Sequence, residues 1–230
     1  MSQSHLPGSP PVPILLRRSA RARRLSLRIS RLDGRVTLTL PRGVDEQEGL
    51  DFARSKEAWI RDHLAQQRPE IRADLGAELP IDGTLRRIVP GAGRAVHLSE
   101  TELAVPVAAA QVARRVEAFV KTRARDRLIA ASDHYAARLN RPYARISLRD
   151  TRSRWGSCSS AGALMYSWRL ILMPPAVLDY VAAHEVAHLA HMDHSPAFWA
   201  QVRQLYGDYD GPRHWLKENG SDLHRYRFRD

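Results

Sequence analysis

The segment His184-Glu185-Val186-Ala187-His188 has the form H-E-x-x-H and follows an apolar run that favours a helix. Two imidazoles four residues apart lie on one face of a helix, about one turn apart, so they can hold one metal ion between them. The carboxylate of Glu185 can accept a proton from a metal-bound water instead of binding the metal. A chain of this composition contains about 0.02 such matches by chance. The pattern predicts a metal-binding helix with His184 and His188 as ligands and Glu185 as the catalytic residue.

The third ligand has two candidates, His191 and His194. A catalytic zinc ion usually has three protein ligands and one open position. If the helix continued, His191 would lie one turn beyond His188, too far along the axis to complete a compact site. His194 precedes Ser195-Pro196, a pair typical of an N-cap and the first residue of a new helix, so the chain must turn there.

That turn would return the imidazole of His194 to the metal. The spacing H-E-x-x-H-x-x-x-x-x-H is also that of the metzincin ligands, although His191 stands here in place of the usual Gly. We therefore predict His194 as the third ligand of one Zn²⁺ ion per chain. Three imidazoles suit zinc, but cobalt, nickel or iron would also bind.

The front of the chain has the patterns of short strands. Residues 1–13 are rich in Pro and Ser and predict a flexible tail. Alternating apolar residues on both sides of Asp33-Gly34 predict a hairpin, and residues 46–67 predict one amphipathic helix with Trp59 facing inward. With further short strands towards its end, the segment 14–106 is predicted to be a β-rich N-terminal module with one helix.

The second half of the chain has a different character. Residues 107–139 carry apolar residues at helical spacing without internal Pro or Gly, which predicts one long helix or two in sequence. Strands are expected over 144–148 and 163–172, and Pro174-Pro175 opens the helix that carries H-E-x-x-H. Residues 107–230 are therefore predicted to form the catalytic domain.

Composition limits the class of protein. The chain has 230 residues, of which 43% are hydrophobic and 27% charged, and this excludes a disordered chain. It contains no run of about 18 apolar residues, so no membrane partner is expected. The single cysteine, Cys158, excludes a disulfide framework, and the Pro-rich start does not resemble a secretory signal. These features predict a cytoplasmic protein.

The net charge is +11, and most of the excess lies in residues 1–44. This segment has one acid and nine basic side chains, Arg17, Arg18, Arg21, Arg23, Arg24, Arg28, Arg31, Arg35 and Arg42. The arginines form either a solvated sheet face or a surface for nucleic acid, and a charge run alone favours the first. One contiguous arginine face would favour nucleic acid.

Several segments resemble the YgjP-like metal-dependent hydrolases, a family related to SprT-type and WLM-type zinc metallopeptidases. The segments are Arg152-Ser153-Arg154-Trp155-Gly156-Ser157-Cys158-Ser159, Ser167-Trp168-Arg169-Leu170, Pro174-Pro175, Leu178-Asp179-Tyr180-Val181, His184–His194 and Ser195-Pro196-Ala197-Phe198-Trp199. The front hairpin and the helix that ends in Trp59-Ile60 also resemble the N-terminal part of the family. A mild departure is Val186, where Leu is common.

The resemblance implies an α+β fold. It would be a minimal zincin-like catalytic domain, with a long helix, a short sheet and the H-E-x-x-H metal helix, preceded by the small β-rich module. The resemblance also implies His184, His188 and His194 as metal ligands and Glu185 as the catalytic acid and base.

The developing oxyanion needs a donor besides the metal, and Arg154, Tyr166 and His214 are the candidates. Residues 163–170 either form an edge strand that binds an extended peptide or an ordinary core strand.

Three further side chains have weaker patterns. Asp193 is a candidate acceptor for a ligand N–H. Cys158 is either a redox-sensitive thiol or, as we favour, a small buried residue beside a Gly turn. His224, like His214, is expected at the surface and not as a ligand.

The leading hypothesis is a zinc-dependent metallopeptidase that acts on a peptide or protein substrate. A second is a metal-dependent phosphohydrolase acting on nucleotides, which is less favoured because phosphoryl sites usually use carboxylate-rich metal sites. A third is a SprT-like protease associated with nucleic acid through the Arg-rich region.

Overall fold

The computed structural model describes residues 2–30, 33–66, 68–106 and 111–229. The chain divides into two compact units, Met1–Pro69 and Glu70–Asp230. Each unit has its own hydrophobic core.

The first unit is a four-stranded sheet with two helices. The strands are β1 (Ser2–Leu6), β2 (Val12–Ser19), β3 (Ser26–Ile29) and β4 (Val36–Pro41), and the helices are α1 (Glu46–Ser55) and α2 (Glu57–Ala65). The strand order is β1-β2-β4-β3, with β2 and β4 parallel and the other two pairs antiparallel. Alternate apolar residues of the strands, such as Ile14 and Leu38, share a core with Ala53 and Ile60 of the helices.

Three details of this unit differ from the predictions. The expected flexible tail, residues 1–13, contains β1, which pairs with β2. The expected single helix is two, because the backbone of Lys56 (φ −108°, ψ 12°) leaves the helical region. Trp59 is 41% exposed and does not face inward. The predicted hairpin is present as the antiparallel pair β3 and β4, with Gly34 at a φ of 66° between them.

The second unit has more elements. Its strands are β5 (Ile71–Arg72), β6 (Glu78–Ile81), β7 (Thr84–Gly91), β8 (His97–Leu98), β9 (Glu102–Pro106), β10 (Arg145–Arg149), β11 (Gly156–Cys158), β12 (Ala163–Ser167) and β13 (Tyr226–Arg227). Its helices are α3 (Val112–Leu139), α4 (Pro175–Ala187), α5 (Pro196–Tyr206) and α6 (Asp210–Asn219), with 3-10 turns over Trp168–Leu172 and Gly220–Arg225. The sheets have the orders β6-β7-β9-β8, β10-β12-β11 and β13-β5.

Helix α4 lies at the centre of the second unit. It contacts α3, α5, α6 and β11, and its residues from Val177 to Ala187 are almost all buried. A helix that is apolar on every side is stable only inside a core. The long helix α3 supports it with Val116, Val120, Ala124 and Leu128, all fully buried at a spacing of four residues.

The predicted division at residue 106 differs from the division in the structure. The apolar residues of β6, β7 and β9 belong to the same core as α3 and α4, so these strands are part of the second unit. The predicted long helix is present as α3, while residues 107–110 lie outside the described part of the chain.

Candidate metal centre and its cleft

Helix α4 carries the H-E-x-x-H segment at its C-terminal end. Pro175 is the first residue of the helix, where its missing N–H costs nothing, and the helix ends at Ala187. His184 and His188 are one turn apart, with ring centroids 5.1 Å apart.

The chain turns after α4 and returns a third imidazole to the first two. Ser195 is the N-cap of α5, and its hydroxyl accepts from Phe198 N at 3.4 Å. The residue before this cap is His194, whose Nε2 lies 3.2 Å from Nε2 of His184. One ring nitrogen from each of His184, His188 and His194 falls within a group no wider than 4.8 Å.

His191 has a different position. Its main-chain oxygen lies 2.9 Å from Nδ1 of His188, while its ring is not part of the group of three. A hydrogen bond from Nδ1–H to this carbonyl leaves Nε2 of His188 free as a ligand. The Asp193 carboxylate accepts from Ser195 N at 3.2 Å, and within the described residues no hydrogen bond joins it to an imidazole of the three candidate ligands.

The surroundings favour the neutral form of the His184 and His188 imidazoles. Burial lowers the pKa of His184 to about 3, with further lowering by His188, His194 and Arg213. Burial also lowers the pKa of His188, although its contact with the His191 carbonyl opposes this. Neutral imidazole is the form that binds metal ions.

The closest pair of nitrogens in this group has the separation that a zinc ion requires. With Zn–N bonds of about 2.0–2.1 Å and tetrahedral angles, two ligand nitrogens are about 3.3–3.4 Å apart. The observed separation of 3.2 Å between His184 and His194 is close to this value. The lone pairs of two imidazole nitrogens this close repel each other unless the nitrogens share a proton or a cation. Convergence of three rings, and not two, favours a shared cation.

Glu185 lies beside the three imidazoles, and its side chain is held against a glycine. A Cβ on Gly156 would lie 2.5 Å from both Cγ and Oε1 of Glu185, so β11 can approach the carboxylate only with Gly at this position. Burial raises the pKa of Glu185 to about 8, and the charge of Arg154 partly opposes the rise. The role of Gly156 escaped the sequence reasoning, although Gly inside a strand is a known sign of close approach.

A cleft opens onto these residues, and the three oxyanion candidates differ in whether they line it. Arg154 lines the cleft together with the three imidazoles and Glu185. Tyr166 is fully buried, and its hydroxyl lies 3.0 Å from Oγ of Ser132. His214 is exposed and pairs with Glu218 at 3.0 Å. Of the three, only Arg154 borders the cleft in the described part of the chain.

Two weaker expectations are also resolved. Cys158 is half-buried and lines the cleft, and burial and the Glu185 charge raise the pKa of its thiol to about 11. His224 is only 5% exposed and lies against Trp155, with ring centroids 5.2 Å apart, so the expectation of a surface residue was wrong.

The edge strand beside the cleft is β11, and not the segment 163–170 that the sequence analysis considered. Strand β12, at Ala163–Ser167, pairs with β10 on one side and with β11 on the other, so it is the central strand. The core-strand alternative therefore holds over Ala163–Ser167, while residues 168–170 belong to a 3-10 turn. Among the described residues, β11 is the edge strand on the side of the cleft.

Strand β11 leaves part of its backbone unpaired. On its two sides, Ser167 N donates to Trp155 O at 2.8 Å and Ser159 N donates to Ala163 O at 3.0 Å. In an antiparallel pair, alternate residues bond to the neighbouring strand. The main-chain groups of Gly156 and Cys158 therefore point away from β12, towards the free edge.

Comparison with known proteins identifies the family. The family model described as YgjP-like, metallopeptidase domain, matches residues 23–219. The chain belongs to the YgjP-like family. The resemblance seen in the sequence is thereby confirmed, and at the family level the chain is a metal-dependent peptidase and hence a hydrolase.

Other comparisons are more distant. A solved structure similar to this YgjP-like chain is the metallopeptidase zymogen of Pyrococcus abyssi abylysin, at 17% identity, with 43% of this chain and 97% of that chain covered and a TM-score of 0.37. A search of curated proteins finds no match. Within the described residues, every helix is too short or too polar to cross a bilayer.

The N-terminal arginines of this YgjP-like chain do not all lie on one face of the sheet. Arg17 and Arg28 lie on the sheet face opposite the core, opposite Thr residues of β4. By its register in β2, Arg18 lies on the other face, and it donates to the main-chain oxygen of Val44 at 2.8 Å. Arg35 forms an ion pair with Asp33 at 3.2 Å. Arg31 lies outside the described residues. Because Arg18 lies on the other face, the described arginines do not all share one face, and the predicted nucleic-acid partner gains no support.

Proposed function

We propose that this protein is a zinc-dependent peptidase in which His184, His188 and His194 hold one Zn²⁺ ion and Glu185 is the catalytic acid and base. The observation that carries the proposal is the convergence of three imidazole nitrogens within 4.8 Å beside a buried carboxylate in an open cleft. When bound, zinc would acidify a water molecule and polarise the scissile carbonyl.

Glu185 supplies the proton transfers. In the absence of a metal ion, burial raises the pKa of Glu185 above its ordinary value, towards the range that general acid–base catalysis needs at neutral pH. The carboxylate accepts a proton from the attacking water and then passes it to the leaving amine. Its position against Gly156 keeps the reacting oxygen from moving away.

Arg154 is the proposed donor to the developing oxyanion. Its side chain lines the cleft, is exposed, and forms no ion pair with the described residues, so it is free to contact a bound substrate. Hydrogen-bond donors aimed at developing negative charge typically contribute a factor of about 100 to 1,000 in rate.

A peptide substrate would bind in extended form along β11. The unpaired main-chain groups of Gly156 and Cys158 lie at the edge of the sheet beside the cleft, and addition of a strand satisfies such groups. Strand addition requires main-chain N–H and C=O groups in the ligand, which a peptide has and a nucleotide lacks. It favours the peptidase over the phosphohydrolase, together with a donor set of imidazoles in place of carboxylates.

The test combines metal analysis with a cleavage assay. Purified protein should contain one zinc ion per chain, and His194→Ala should lose it, whereas the matched change His191→Ala should retain it. Wild-type protein should cleave members of a peptide library, and Glu185→Gln should keep the zinc while losing activity by at least about 1,000-fold. Zinc lost only with His191, or nucleotide hydrolysis without peptide cleavage, would refute the proposal.

A further inference from the structure

A second cleft in the same unit shares no lining residue with the cleft at the metal centre. Six of its lining residues are cations and two are acids. The cations are Lys121, Arg149, Arg152, Arg169, Arg227 and Arg229, and the acids are Glu117 and Asp150. We call this site the cationic cleft.

Both acids of the cationic cleft are already paired. Glu117 accepts from Lys121 at 2.6 Å and from Arg229 at 2.9 Å. Burial alone would raise the pKa of Glu117, but these two partners outweigh it and lower the pKa, so the carboxylate stays charged. Asp150 accepts two hydrogen bonds from Arg169, at 2.6 and 3.1 Å.

The remaining cations are less neutralised. Arg149 and Arg152 are exposed and pair with no acid among the described residues. Arg227 has one acid partner, Glu70, at 3.4 Å. The cleft therefore keeps an excess of positive charge that no side chain of the described chain offsets.

Arg169 makes the wall of the cleft rigid. Its guanidinium is buried and donates to Asp150 at the end of β10 and to the main-chain oxygens of Leu223 and Tyr226, both at 2.9 Å. It therefore ties β10 to the C-terminal segment. A cleft held in this way is ordered before any ligand arrives, which reduces the entropy cost of binding.

The floor of the cleft limits which anion can bind. Trp168 is 2% exposed and Phe228 is 5% exposed, and their rings pack edge to face with centroids 5.1 Å apart. Buried rings cannot stack on nucleic-acid bases, which need exposed aromatic platforms. A second copy of this chain is also disfavoured, because its net charge is +11. Guanidinium groups form paired hydrogen bonds with the carboxylates of Asp and Glu, as they do with phosphate.

The cationic cleft and the metal cleft meet at one short loop. Arg152 lines the first and Arg154 lines the second, and two residues span at most about 7 Å of chain. Thr151 Oγ1 donates to the carbonyl oxygen of Arg154 at 2.8 Å, which closes the loop on itself. A bound chain needs few residues to reach from one cleft to the other.

We propose that the cationic cleft binds an acidic segment, rich in Asp and Glu, of the protein substrate whose peptide bond is cleaved at the metal centre. The proposal rests on the proposed peptidase function for the identity of the ligand. Arg149 and Arg152 provide the free charges, and Arg169 fixes the wall.

The test measures binding without cleavage. The full chain carrying Glu185→Gln is titrated into a fluorescent peptide that contains a block of Asp and Glu, and into the same peptide with Asn and Gln in their place. We expect the acidic peptide to bind preferentially, more weakly at high salt, and about 10-fold more weakly after Arg149→Ala with Arg152→Ala.

The matched control removes the same charge elsewhere in the unit. Arg114 and Arg125 are exposed residues of α3 outside the cationic cleft, and Arg114→Ala with Arg125→Ala should leave the affinity unchanged. Equal loss in both double variants, equal binding of the acidic and amide peptides, or preferential binding of a single-stranded oligonucleotide or inorganic phosphate would overturn the assignment.

The outcomes also separate this proposal from the proposed function. Cleavage of short uncharged peptides by the wild-type protein, without preference for the acidic peptide in the binding assay, refutes the cationic cleft alone. Preferential binding of the acidic peptide by a protein that cleaves no peptide supports the cleft as an acidic-segment site and refutes the peptidase.

Discussion

Among single residues, Gly156 and Glu185 share a space that holds only one side chain. A Cβ at Gly156 would lie 2.5 Å from Cγ and Oε1 of Glu185, a distance that real Cβ atoms essentially never show. We expect Gly156→Ala to displace the carboxylate and lower kcat by about 100-fold, because a misplacement of about 1 Å at a reacting group has this effect. Peptide hydrolysis at saturating substrate measures the change.

The matched substitution is Gly211→Ala. A Cβ at Gly211, in α6, has no neighbour within 4 Å, so this variant should keep the wild-type kcat. Metal content should be the same in both variants, since neither residue is a candidate ligand. An unchanged kcat in Gly156→Ala would mean that the exact position of the Glu185 carboxylate does not matter.

Residue positions that depend on local spacing could be predicted, and those that depend on distant pairing could not. The four-residue spacing of His184 and His188 places them on one helix face, and the turn before Ser195 returns His194 to them. Tyr166 could not be assigned in this way, because the burial of its hydroxyl against Ser132 depends on how β12 packs against α3.

Among elements, the turn between β6 and β7 contacts the start of the metal helix. The N–H of Asp82 donates to Ile171 O at 2.7 Å, and the Asp82 carboxylate pairs with Arg123 at 2.6 Å. A Cβ at Gly83 would lie 2.8 Å from Cα of Pro174, the residue before α4. The turn therefore fits against the point where α4 begins.

We expect Gly83→Ala to lower the free energy of unfolding by about 1–3 kcal/mol more than Gly76→Ala does. Both glycines have a positive φ, 75° and 84°, so both substitutions carry a similar backbone penalty. A Cβ at Gly76 has no neighbour within 4 Å, whereas that at Gly83 meets Pro174. Urea unfolding measures the difference, and equal losses would show that the contact with Pro174 is easily relieved.

The predictability of elements follows the strength of their local pattern. The long apolar periodicity of residues 107–139 predicts one long helix or two in sequence, and the structure has the single helix α3 over Val112–Leu139. The break at Lys56 carries no Pro or Gly, so the sequence offers no signal for it. The central position of β12 was also beyond local reasoning, since strand order depends on pairing across the chain.

At the scale of the molecule, all three candidate ligands lie in the second unit. A ligand that binds only the folded state stabilises it, by about 4 kcal/mol when its free concentration is 1,000 times Kd. We expect removal of the proposed zinc ion with a chelator to increase hydrogen exchange in α4 and α5 and to leave the exchange of the β1–β4 sheet unchanged. Mass spectrometry measures hydrogen exchange in both units, and the calcium complex of the chelator is the control. An equal increase in exchange in both units would contradict the expectation.

The division into units was the least predictable feature of the fold. The strands up to residue 106 have the same short, Gly-interrupted pattern as those of the first unit, so the sequence groups them together. In the structure, Leu79, Ile88 and Leu103 share the core of α3 and α4. Tertiary packing decides which core a short strand joins, and this cannot be predicted from the residues of the strand alone.

The free edge of β11 is three residues long, and the proposed pairing with it needs a stretch of another chain whose own backbone is extended and unpaired. A target whose scissile region is helical, or already lies inside a sheet, must open locally before its backbone becomes available. When such opening is fast compared with cutting, the rate of digestion follows the population of the open form. The enzyme would then discriminate among proteins by their conformational stability, and damaged or incompletely folded chains would be degraded first.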